Sequence, residues 1–499
     1  MKRRLLAGAL AVCSLFVTAG CSGGTSKKAS DEELNIMVLS HNTYSYQDGW
    51  WIWDKLQEKT GIKLNITAVP QTNYGEKLNI TVASGEAPDI IAMDVHQGTQ
   101  LGMQGALTPV SELAKKAPNL ENYIKDNKEI YGQFLAGDGE AYVVPTDGYA
   151  EDQKMGWLYR KDIFEKHNLK VPTNEEELYQ VLKKLKELYP SSYPLCMRSY
   201  ASRMSLFFTQ WGTGRDYYYD TENKTWKFGP LDAEYKKATE FMNRLYAEEL
   251  IPPDFLTLST EDWQSLLSTD QSFITIDYMV RIDFFNSMLR GQNPDYTMAF
   301  MPPAAFGENG RAVLYNTMFD AQSVGVYSKT KKLDTVCKFL DFMYSEEGQE
   351  LTTWGEEGVT YTLNADGEKD FSKYASRTDF IKEFGMYSSG THLVDNGNSF
   401  ICIMSDEQRK AFKDSEQYDI PFDPRPIYTD EEYDKYINNI STPLLKYVNE
   451  QMSNFIMGTK PMSEWDSVAD YIKKNGIDDV IGFYNAGTKR AQDIISKLK

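Results

Sequence analysis

The residue with the clearest chemistry in this sequence is Cys21, whose sulfur is placed to accept a lipid. The small residues of Val17-Thr18-Ala19-Gly20 lead into it, as the cleavage pocket of a lipoprotein signal peptidase requires. The preceding segment has a basic start, Lys2-Arg3-Arg4, and an uncharged stretch over residues 5–17. That stretch is too short to span a bilayer and suits a secretory leader. The sequence therefore predicts a lipoprotein leader over residues 1–20 and lipidation of Cys21.

A flexible polar tether over residues 21–33 follows the predicted attachment point. A chain anchored in this way works outside the cytoplasmic membrane of a bacterium while tied to it. An ordinary secretory leader followed by a chance cysteine is the alternative, and Thr18 favours it because an aliphatic residue is usual there. Cys13 is a poorer acceptor because the bulky Val12 precedes it.

Aromatic side chains are abundant and could bind a ligand. The chain holds 32 Tyr, 9 Trp and 24 Phe. Tyr and Trp rings stack on the apolar faces of pyranose sugars while their polar edges form hydrogen bonds. The sequence motifs of zinc proteases, serine hydrolases, P-loop proteins and dinucleotide-binding enzymes are absent, so the prediction is a protein that is not an enzyme. A pair of carboxylates for glycoside hydrolysis stays an alternative because acidic residues are plentiful.

Polar and aromatic side chains of the amino-terminal half follow two predicted strands, at residues 34–39 and 90–93. Loops at the carboxyl ends of such strands are where α/β sheets bind ligands. Three tryptophans lie on a helix that begins near residue 50, and at least one of them is expected in the core. The predicted ligand-binding residues of this half are Tyr44, Tyr46, Trp50, Asp94, His96 and Gln97.

A second group of candidates lies in the remainder of the chain. Trp211 is flanked by the small residues of Gly212-Thr213-Gly214 and is predicted to be a stacking platform on a mobile loop. Asp277 and Arg281 follow an apolar strand and could bind vicinal hydroxyls, with an internal salt bridge as the alternative. The predicted ligand-binding residues here are Trp211, Asp277, Tyr278, Arg281, Asn316, Trp354 and Tyr361.

These residues need a scaffold, and the hydrophobic pattern predicts one that alternates strands and helices. Strand, helix, strand, helix and strand follow one another between residues 34 and 93, which predicts a parallel sheet with right-handed crossovers. The middle of the chain is helical, and Thr173 and Glu176 form a predicted capping box before one helix. Further helices are predicted over residues 234–249 and 331–344, and beyond Pro461.

Length and charge narrow the class of protein. A chain of 499 residues predicts two domains or lobes. The net charge changes from −19 to −22 when the three basic residues of the leader are removed, which argues against nucleic acid as a partner. Cys196, Cys337 and Cys402 are predicted to be buried free thiols, with one disulfide pair left open. Four histidines without close His/Cys spacing argue against a zinc site.

Ten collinear blocks carry a family resemblance. They occur in the same order over nearly the whole processed chain: YGEKL (74–78), ASGEAPDI (83–90), GALTPV (105–110), EAYVVP (140–145), YRKD (159–162), LIPPDF (250–255), GEEGVTY (355–361), GTKP (458–461), GIDDV (476–480) and YNA (484–486). With these blocks the chain resembles the family 1 extracellular solute-binding lipoproteins of carbohydrate ABC transporters. Within them it is most similar to the LplA-like and alginate-binding oligosaccharide binders.

The resemblance implies an α/β fold of two lobes, the periplasmic-binding-protein or Venus flytrap fold. Each lobe is expected to hold a mostly parallel sheet flanked by helices, with a helical carboxy-terminal extension. The expected first lobe comprises residues 34–150 and about 297–345, and the second comprises residues 151–296 and about 346–499. The implied function is capture of an oligosaccharide between the lobes by a monomer and its delivery to ABC permease subunits. The alternatives are a receptor for a peptide or another non-sugar solute and a surface glycoside hydrolase.

Two details of the implied site are specific to this sequence. Many relatives carry a calcium loop after the YRKD helix, but residues 188–194 here read LYPSSYP, without a carboxylate. We therefore expect no metal and no cofactor, and the partial match NADGEKD at 364–370 is interpreted as a polar turn. The acidic surface favours a neutral oligosaccharide over a uronate, although a local anion site could be formed by Arg198, Arg203, Arg281 and Arg311.

Overall fold

Two hydrophobic cores organise the computed structural model of this chain, which describes residues 32–147, 154–198, 200–315, 322–374, 377–396, 404–420 and 423–498. The predicted leader, Cys21 and nearly all of the predicted tether lie outside the described residues. Cys196 and Cys337 are buried free thiols, as predicted, and Cys402 lies outside the described residues. Within the described chain, no helix is both long and apolar enough to cross a membrane.

The strands are short and spread along the whole chain. Numbered in chain order they are β1 (Glu33–Ser40), β2 (Lys63–Pro70), β3 (Ile90–Asp94), β4 (Met155–Arg160), β5 (Tyr217–Asp220), β6 (Thr225–Phe228), β7 (Ile274–Tyr278), β8 (Met298–Met301), β9 (Leu314–Tyr315), β10 (Gln322–Val326), β11 (Thr362–Leu363), β12 (Lys369–Asp370) and β13 (Asp419–Ile420).

Helices connect and cover these strands. They are α1 (Trp51–Thr60), α2 (Tyr74–Ala83), α3 (Val95–Met103), α4 (Val110–Ala114), α5 (Pro118–Asp126), α6 (Lys128–Gly132), α7 (Lys161–Lys166), α8 (Glu175–Leu188), α9 (Tyr200–Gln210), α10 (Ala233–Ala247), α11 (Thr260–Ser268), α12 (Arg281–Leu289), α13 (Leu333–Met343), α14 (Glu346–Trp354), α15 (Arg377–Phe384), α16 (Asp406–Ser415), α17 (Asp430–Glu432), α18 (Thr442–Ile456), α19 (Trp465–Lys474) and α20 (Ile477–Ile495). A π-helical stretch, Tyr433–Ser441, makes α17 and α18 one continuous helix.

The first core is built around a sheet with the strand order β10-β3-β1-β2. β1 pairs in parallel with β2 and β3, while β10 runs antiparallel to β3. The strands are joined by α1 and α2, so the predicted succession of strands and helices is confirmed. Gly61 ends α1 with a positive φ of 68° and donates its N–H to the carbonyl of Gln57, which is the αL termination that glycine favours.

The second core is built around a sheet with the order β7-β4-β8, and here one prediction is wrong. A mostly parallel sheet was expected, but β4 pairs antiparallel with both β7 and β8. The reason is the insertion of β4 between the other two strands. β7 and β8 run in the same direction and are joined through α12, so the crossover unit exists, but its two strands are not neighbours.

The two cores also correct the predicted lobe boundaries. The first core gathers buried residues from 34–144 and 324–394 together with Ile427 and Ala491, and the second gathers its residues from 157–314 and from the span 404–477. Strand β8 therefore belongs to the second lobe instead of the first. Helices α14 and α15, assigned to the second lobe by sequence, pack in the first core through residues such as Leu351 and Phe380. Their apolar faces predict burial without specifying the core, because hydrophobic burial is non-directional.

The carboxy-terminal extension is helical, as predicted, but it contacts both lobes. Just past the middle of α20, Thr488 accepts a 2.8 Å hydrogen bond from the indole of Trp226 in the second lobe. Farther along, Ala491 is buried in the first core, and Ile495 lies so close to Gly132 that a Cβ there would come within 2.3 Å of it. The last helix therefore ties the two lobes together.

The residue that caps helix α8 is one position later than predicted. Asn174, and not Thr173, caps α8 by accepting a hydrogen bond from the N–H of Glu177. The Glu177 carboxylate in turn accepts from the N–H and hydroxyl of Thr173, each at 2.8 Å. Two consecutive capping residues and three consecutive glutamates allow either frame, so the sequence alone could not choose between them.

Candidate functional site

Two of the connections between the lobes adjoin strand ends, one in each sheet. The described chain crosses from one core to the other between residues 147 and 154, 315 and 322, and 396 and 404. After the first crossing, β4 begins with Met155 opposite Tyr278 at the end of β7. After the second, β10 begins with Gln322 opposite Asp94 at the end of β3. We call the region between these two sheet edges the interlobe cleft.

On the first lobe, Asp94 and Gln97 hold the start of α3. The Asp94 carboxylate accepts a 2.7 Å hydrogen bond from the N–H of Gln97, and the Gln97 side chain accepts one from the N–H of Asp94 at 3.2 Å. This reciprocal capping box satisfies free amides of the first helical turn. His96 is exposed, and its ring lies 6.4 Å from that of Tyr433. All three residues lie at or directly after the end of β3, and Asp94 and Gln97 are used in the capping box. Their ligand-binding role stays a prediction.

The aromatic residues after β1 divide between surface and core. Tyr44 stacks on His41 with 4.0 Å between the ring centroids, and Tyr46 contacts Trp50 edge-on at 5.4 Å. Trp50 was predicted as the cleft residue among the tryptophans, but it is only 4% exposed. Its indole N–H donates to the backbone carbonyl of Lys382 at 3.0 Å. This corrects the prediction for Trp50, because its ring is used to pack the first core.

Trp354 and Tyr361 form a partly exposed aromatic pair in the first lobe, not the second. The Trp354 indole donates to the side-chain oxygen of Asn396 at 2.8 Å, beside the third crossing. The ammonium of Lys369 lies 4.4 Å from the Trp354 ring and 5.6 Å from the Tyr361 ring, and a cation over an aromatic face is attractive. Because both side chains are only partly buried, they stay candidates for stacking on a ligand.

Trp211 is a core residue, which corrects its prediction as a stacking platform. It is 4% exposed, and its ring centroid lies 5.7 to 6.3 Å from those of Phe207, Phe241 and Phe306. Small neighbours suggested a mobile platform, but the positive φ of 79° at Gly212 serves to turn the chain after α9. The other predicted residue of this region, Asn316, lies outside the described residues.

At the end of β7, Asp277 is surrounded by three guanidinium groups. Arg198 binds both carboxylate oxygens, with Nε to Oδ2 at 2.8 Å and Nη2 to Oδ1 at 2.9 Å. Arg203 donates through Nε at 3.1 Å, and Arg281 Nε lies 3.5 Å away. Asp277 is fully buried, so the internal salt bridge weighed from the sequence is what forms. We call Arg198, Arg203 and Arg281 the arginine cluster.

Tyr278 follows Asp277 and forms one wall of this group. Its ring lies 4.3 Å below the guanidinium of Arg203 and 6.0 Å from that of Arg198. Stacking of this kind holds an arginine plane in position while leaving its edge available for hydrogen bonds.

The second lobe also holds a cavity of about 210 Å³. Polar and aromatic groups from separate segments line it: Thr209, Gly212, Thr213, Tyr218, Tyr219, Thr221, Arg311, Tyr315, Ile420 and Asp423. The hydroxyls of Thr209 and Tyr315 form a hydrogen bond at 3.2 Å, in which Thr209 accepts because its own proton is donated to the Ser205 carbonyl. This arrangement of hydroxyls, phenols, one guanidinium and one carboxyl can exchange hydrogen bonds with a ligand rich in hydroxyl groups.

Asp423 is the acidic residue in the cavity lining, and its pKa is shifted from the ordinary value of an aspartate. Burial raises the pKa of its carboxyl to about 6, although the N–H of Tyr219, which donates to it at 3.4 Å, lowers the pKa. Sequence reasoning missed this residue. Only an indirect signal was present in the sequence. Arg311 is a candidate for an anion site and Asn316 a candidate ligand-binding residue, and the cavity is lined by Arg311 and by Tyr315, which precedes Asn316.

The segment after Asp423 connects the cavity to the first lobe. Arg425 donates to the backbone carbonyl of Gln133 at 2.7 Å. Burial lowers the pKa of Arg425, opposed by the nearby Tyr428 and Asp94. The carbonyl of Tyr428 lies where a Cβ on Gly137 would be, 2.0 Å away. The chain segment that follows Asp423 therefore packs against residues 133–137 of the first lobe.

The described residues do not fit a metal. They include no group of three His, Cys, Asp or Glu side chains that could hold an ion. In the loop at residues 188–194, the ammonium of Lys186 donates to the carbonyl of Ser192 at 2.8 Å, so a side-chain cation already uses a loop oxygen. At residues 364–370, the Asn364 side chain accepts the N–H groups of Asp366 and Glu368, which is an ordinary polar turn.

Comparisons with known proteins agree with this architecture. A family model described as bacterial extracellular solute-binding protein matches residues 50–350. The fructooligosaccharide ABC transporter substrate-binding protein FusA of Streptococcus pneumoniae is 21% identical, over 86% of this chain and 85% of its own length. The polygalacturonan/rhamnogalacturonan-binding protein YtcQ of Bacillus subtilis is 24% identical, over 98% and 99%. Among solved structures, alginate-binding protein AlgQ2 without calcium ion superposes with a TM-score of 0.71 at 22% identity, over 92% and 99%.

Proposed function

The chain belongs to the bacterial extracellular solute-binding protein family, and on this premise we propose that it captures an oligosaccharide in the interlobe cleft and delivers it to the permease subunits of an ABC importer. The observation that supports the ligand class most directly is the cavity of the second lobe. Its threonines, tyrosines, Arg311 and Asp423 present donors and acceptors beside aromatic faces, a combination that suits sugar hydroxyls and sugar rings.

Delivery requires that the ligand changes the relation of the two lobes. A ligand shifts a conformational equilibrium only by binding one state better than another, so it must contact both lobes. The partners available on the first lobe are the His41–Tyr44 pair, His96, and the Trp354–Tyr361 pair. An oligosaccharide offers several sugar units, so one unit can contact the cavity while others contact rings of the first lobe.

The test is a binding screen with two matched variants. Thr209 and Thr239 both lie on helices and donate to the carbonyl four residues earlier, but only Thr209 lines the cavity. We expect an oligosaccharide from a glycan library to raise the melting temperature. Thr209→Val should weaken that ligand about 5- to 10-fold, as for one lost hydrogen bond, while Thr239→Val leaves the affinity unchanged.

The outcomes of this screen separate the alternatives. Stabilisation by a peptide and not by any glycan would favour a non-sugar receptor. Release of shortened glycans during incubation would identify a hydrolase, since the proposal contains no catalytic step. Equal affinities for the two threonine variants would remove the cavity from the site.

Location is a second part of the proposal. We place the protein at the outer face of a bacterial cytoplasmic membrane, as a monomer held by a lipid on Cys21. The anchor would raise the effective concentration of the receptor beside its permease. Mass spectrometry of the mature amino terminus should find diacylglycerol on Cys21, and Cys21→Ser should be released into the medium or retain its leader. An unmodified, processed amino terminus elsewhere would contradict the anchor.

Calcium is not part of the proposed site. The loop at residues 188–194 offers no carboxylate, and Lys186 already donates to its Ser192 carbonyl. Adding millimolar calcium to chelator-treated protein should therefore leave the melting temperature unchanged. A rise of several degrees would show that the chain binds calcium at another place.

A further inference from the structure

Among the described residues, the guanidinium groups of the arginine cluster outnumber the carboxylates that contact them. Three guanidinium groups share the single carboxylate of Asp277. In the described chain, no other acidic side chain pairs with Arg198 or Arg281. Arg198 already binds both oxygens of Asp277 and Arg203 binds one of them, so Arg281 is the member with the weakest contact to the carboxylate.

Arg281 is also the member that a ligand can reach. Its side chain is 25% exposed, against 11% for Arg198 and 4% for Arg203. Its buried Nε makes no hydrogen bond with any described residue. That nitrogen faces Asp277 Oδ1 at 3.5 Å, so a ligand can contact the exposed part of the Arg281 side chain and not its Nε. Burial lowers the pKa of Arg281, and the like charges of Arg198 and Arg203 add to this effect while Asp277 opposes it.

The position of the cluster is the cleft edge of the second lobe. Asp277 is the last residue but one of strand β7, and Arg281 begins α12 four residues later. The free amides and the dipole at a helix start add to the attraction for an anion. The neighbouring cation, Lys154, is paired with Asp419 at 2.7 Å and leaves the local charge unchanged.

The cluster and the cavity are joined by one helix. Arg203 and Thr209 both lie on α9, six residues apart, which corresponds to about 9 Å along a helix axis. This is within the reach of neighbouring sugar units of one chain. Arg203 and Arg281 both contact Asp277, so a ligand that occupies the cavity would have to extend along this helix to bring a side group to Arg281.

We propose that the arginine cluster is a subsite for the carboxylate of an acidic sugar, so that the oligosaccharide carries uronic acid units. A planar carboxylate matches the paired donors of a guanidinium. The inference rests on the proposed function and specifies the substrate class. It replaces the expectation of a neutral glycan, which followed from the net charge of −19, because charges farther away than about 10 Å are screened by salt whereas Arg281 contacts the ligand.

The experiment compares uronate oligomers of three to four units, made of galacturonate, glucuronate or mannuronate, with neutral oligosaccharides of equal length. Isothermal calorimetry at fixed ionic strength should show that one acidic series binds at least about tenfold more tightly than its neutral counterpart. Arg281→Gln should weaken that acidic ligand about 10- to 100-fold and leave a neutral or methyl-esterified analogue unchanged. Arg281→Lys should fall between them, because it keeps the charge and loses the paired donors.

Arg290→Gln is the matched control. Arg290 follows the last residue of the same helix, and its guanidinium pairs with Glu407 away from the cluster, so its loss should not change the preference for acidic glycans. Melting temperatures of all variants identify any that fail to fold, and in that case Arg281→Lys supplies the comparison.

Each result decides between the claims. Tight binding of neutral oligosaccharides without binding of acidic ones overturns the carboxylate subsite and leaves the proposed function intact. An equal loss of both ligand types in Arg281→Gln also overturns the subsite, since it marks a structural role. Binding of neither type by the intact protein overturns the subsite together with the proposed function.

Discussion

Asp423 is a residue whose charge changes near neutral pH. Because burial raises its pKa to about 6, the folded protein binds this proton more tightly than the unfolded chain, whose carboxyl has a pKa near 4. Protonation therefore favours folding fully below about pH 4, and this contribution disappears as the pH rises through 6.

The corresponding prediction concerns Asp423→Asn, which keeps the shape and removes the charge. The variant should equal the wild type in stability below about pH 4 and exceed it above pH 6, by at most about 3 kcal/mol. Urea unfolding between pH 4 and 8 measures this, with the exposed Asp366→Asn as control. An equal difference at pH 4 and pH 8 would show that titration of Asp423 is not the cause.

A second prediction compares the buried Trp211 with the partly exposed Trp354. Because Trp211 is packed among Phe207, Phe241 and Phe306, Trp211→Ala should lower the free energy of unfolding by about 3 to 5 kcal/mol and leave glycan affinity unchanged in the folded fraction. The partly exposed Trp354→Ala should show the opposite pattern, with little loss of stability and weaker binding. Chemical denaturation and calorimetry on both variants check this, and a stable Trp211→Ala with reduced affinity would restore the original prediction.

Helix α3 begins directly after β3, at the first-lobe edge of the interlobe cleft. Asp94→Ala removes its cap and should lower the free energy of unfolding by about 1 kcal/mol. Asn174→Ala removes the equivalent cap of α8, where Asn174 accepts the N–H of Glu177, and should cost about the same. If the start of α3 also contacts ligand, only Asp94→Ala should weaken glycan binding. Equal affinities in both variants would restrict Asp94 to capping.

For the second sheet, the sequence predicts where strands occur but not which strands lie next to each other. The apolar runs at residues 274–278 and 298–301 are strands on either side of α12, as a crossover unit requires. Nothing in those runs specifies that β4, more than a hundred residues earlier, is inserted between them. This insertion makes the sheet antiparallel and brings Met155 beside Tyr278, next to the arginine cluster.

At the scale of the whole molecule, α20 links the lobes. Ile495 packs beside Gly132 of α6, while Thr488 is bonded to Trp226 of the second lobe. Ile495→Asp would place a charge in the apolar contact and should loosen α20 from the first lobe. Hydrogen exchange of the amides in α6 (Lys128–Gly132) should then accelerate at least about tenfold, as for an apolar contact worth more than about 1.4 kcal/mol.

The exposed Tyr471 of α19 offers the control for this prediction. Its side chain is 43% accessible, so Tyr471→Ser should leave the exchange of α6 unchanged. Unchanged exchange in Ile495→Asp as well would mean that the carboxy-terminal helix does not hold the first lobe.

By itself the sequence determined the features that depend on neighbouring residues. The strand and helix succession of the first lobe, the termination of α1 at Gly61 and the helical carboxy terminus follow from local periodicity and backbone preferences. The collinear blocks identified the family. The tertiary structure alone decided which core receives α14 and α15, where β4 is inserted, and that Trp50 and Trp211 are buried. It also brought Arg198 to Asp277 across 79 positions of the chain and Asp423 to Tyr219 across 204. The physical reason is that an apolar face requires burial against any apolar surface, and a charge requires any opposite charge, so neither names its partner until the whole chain has packed.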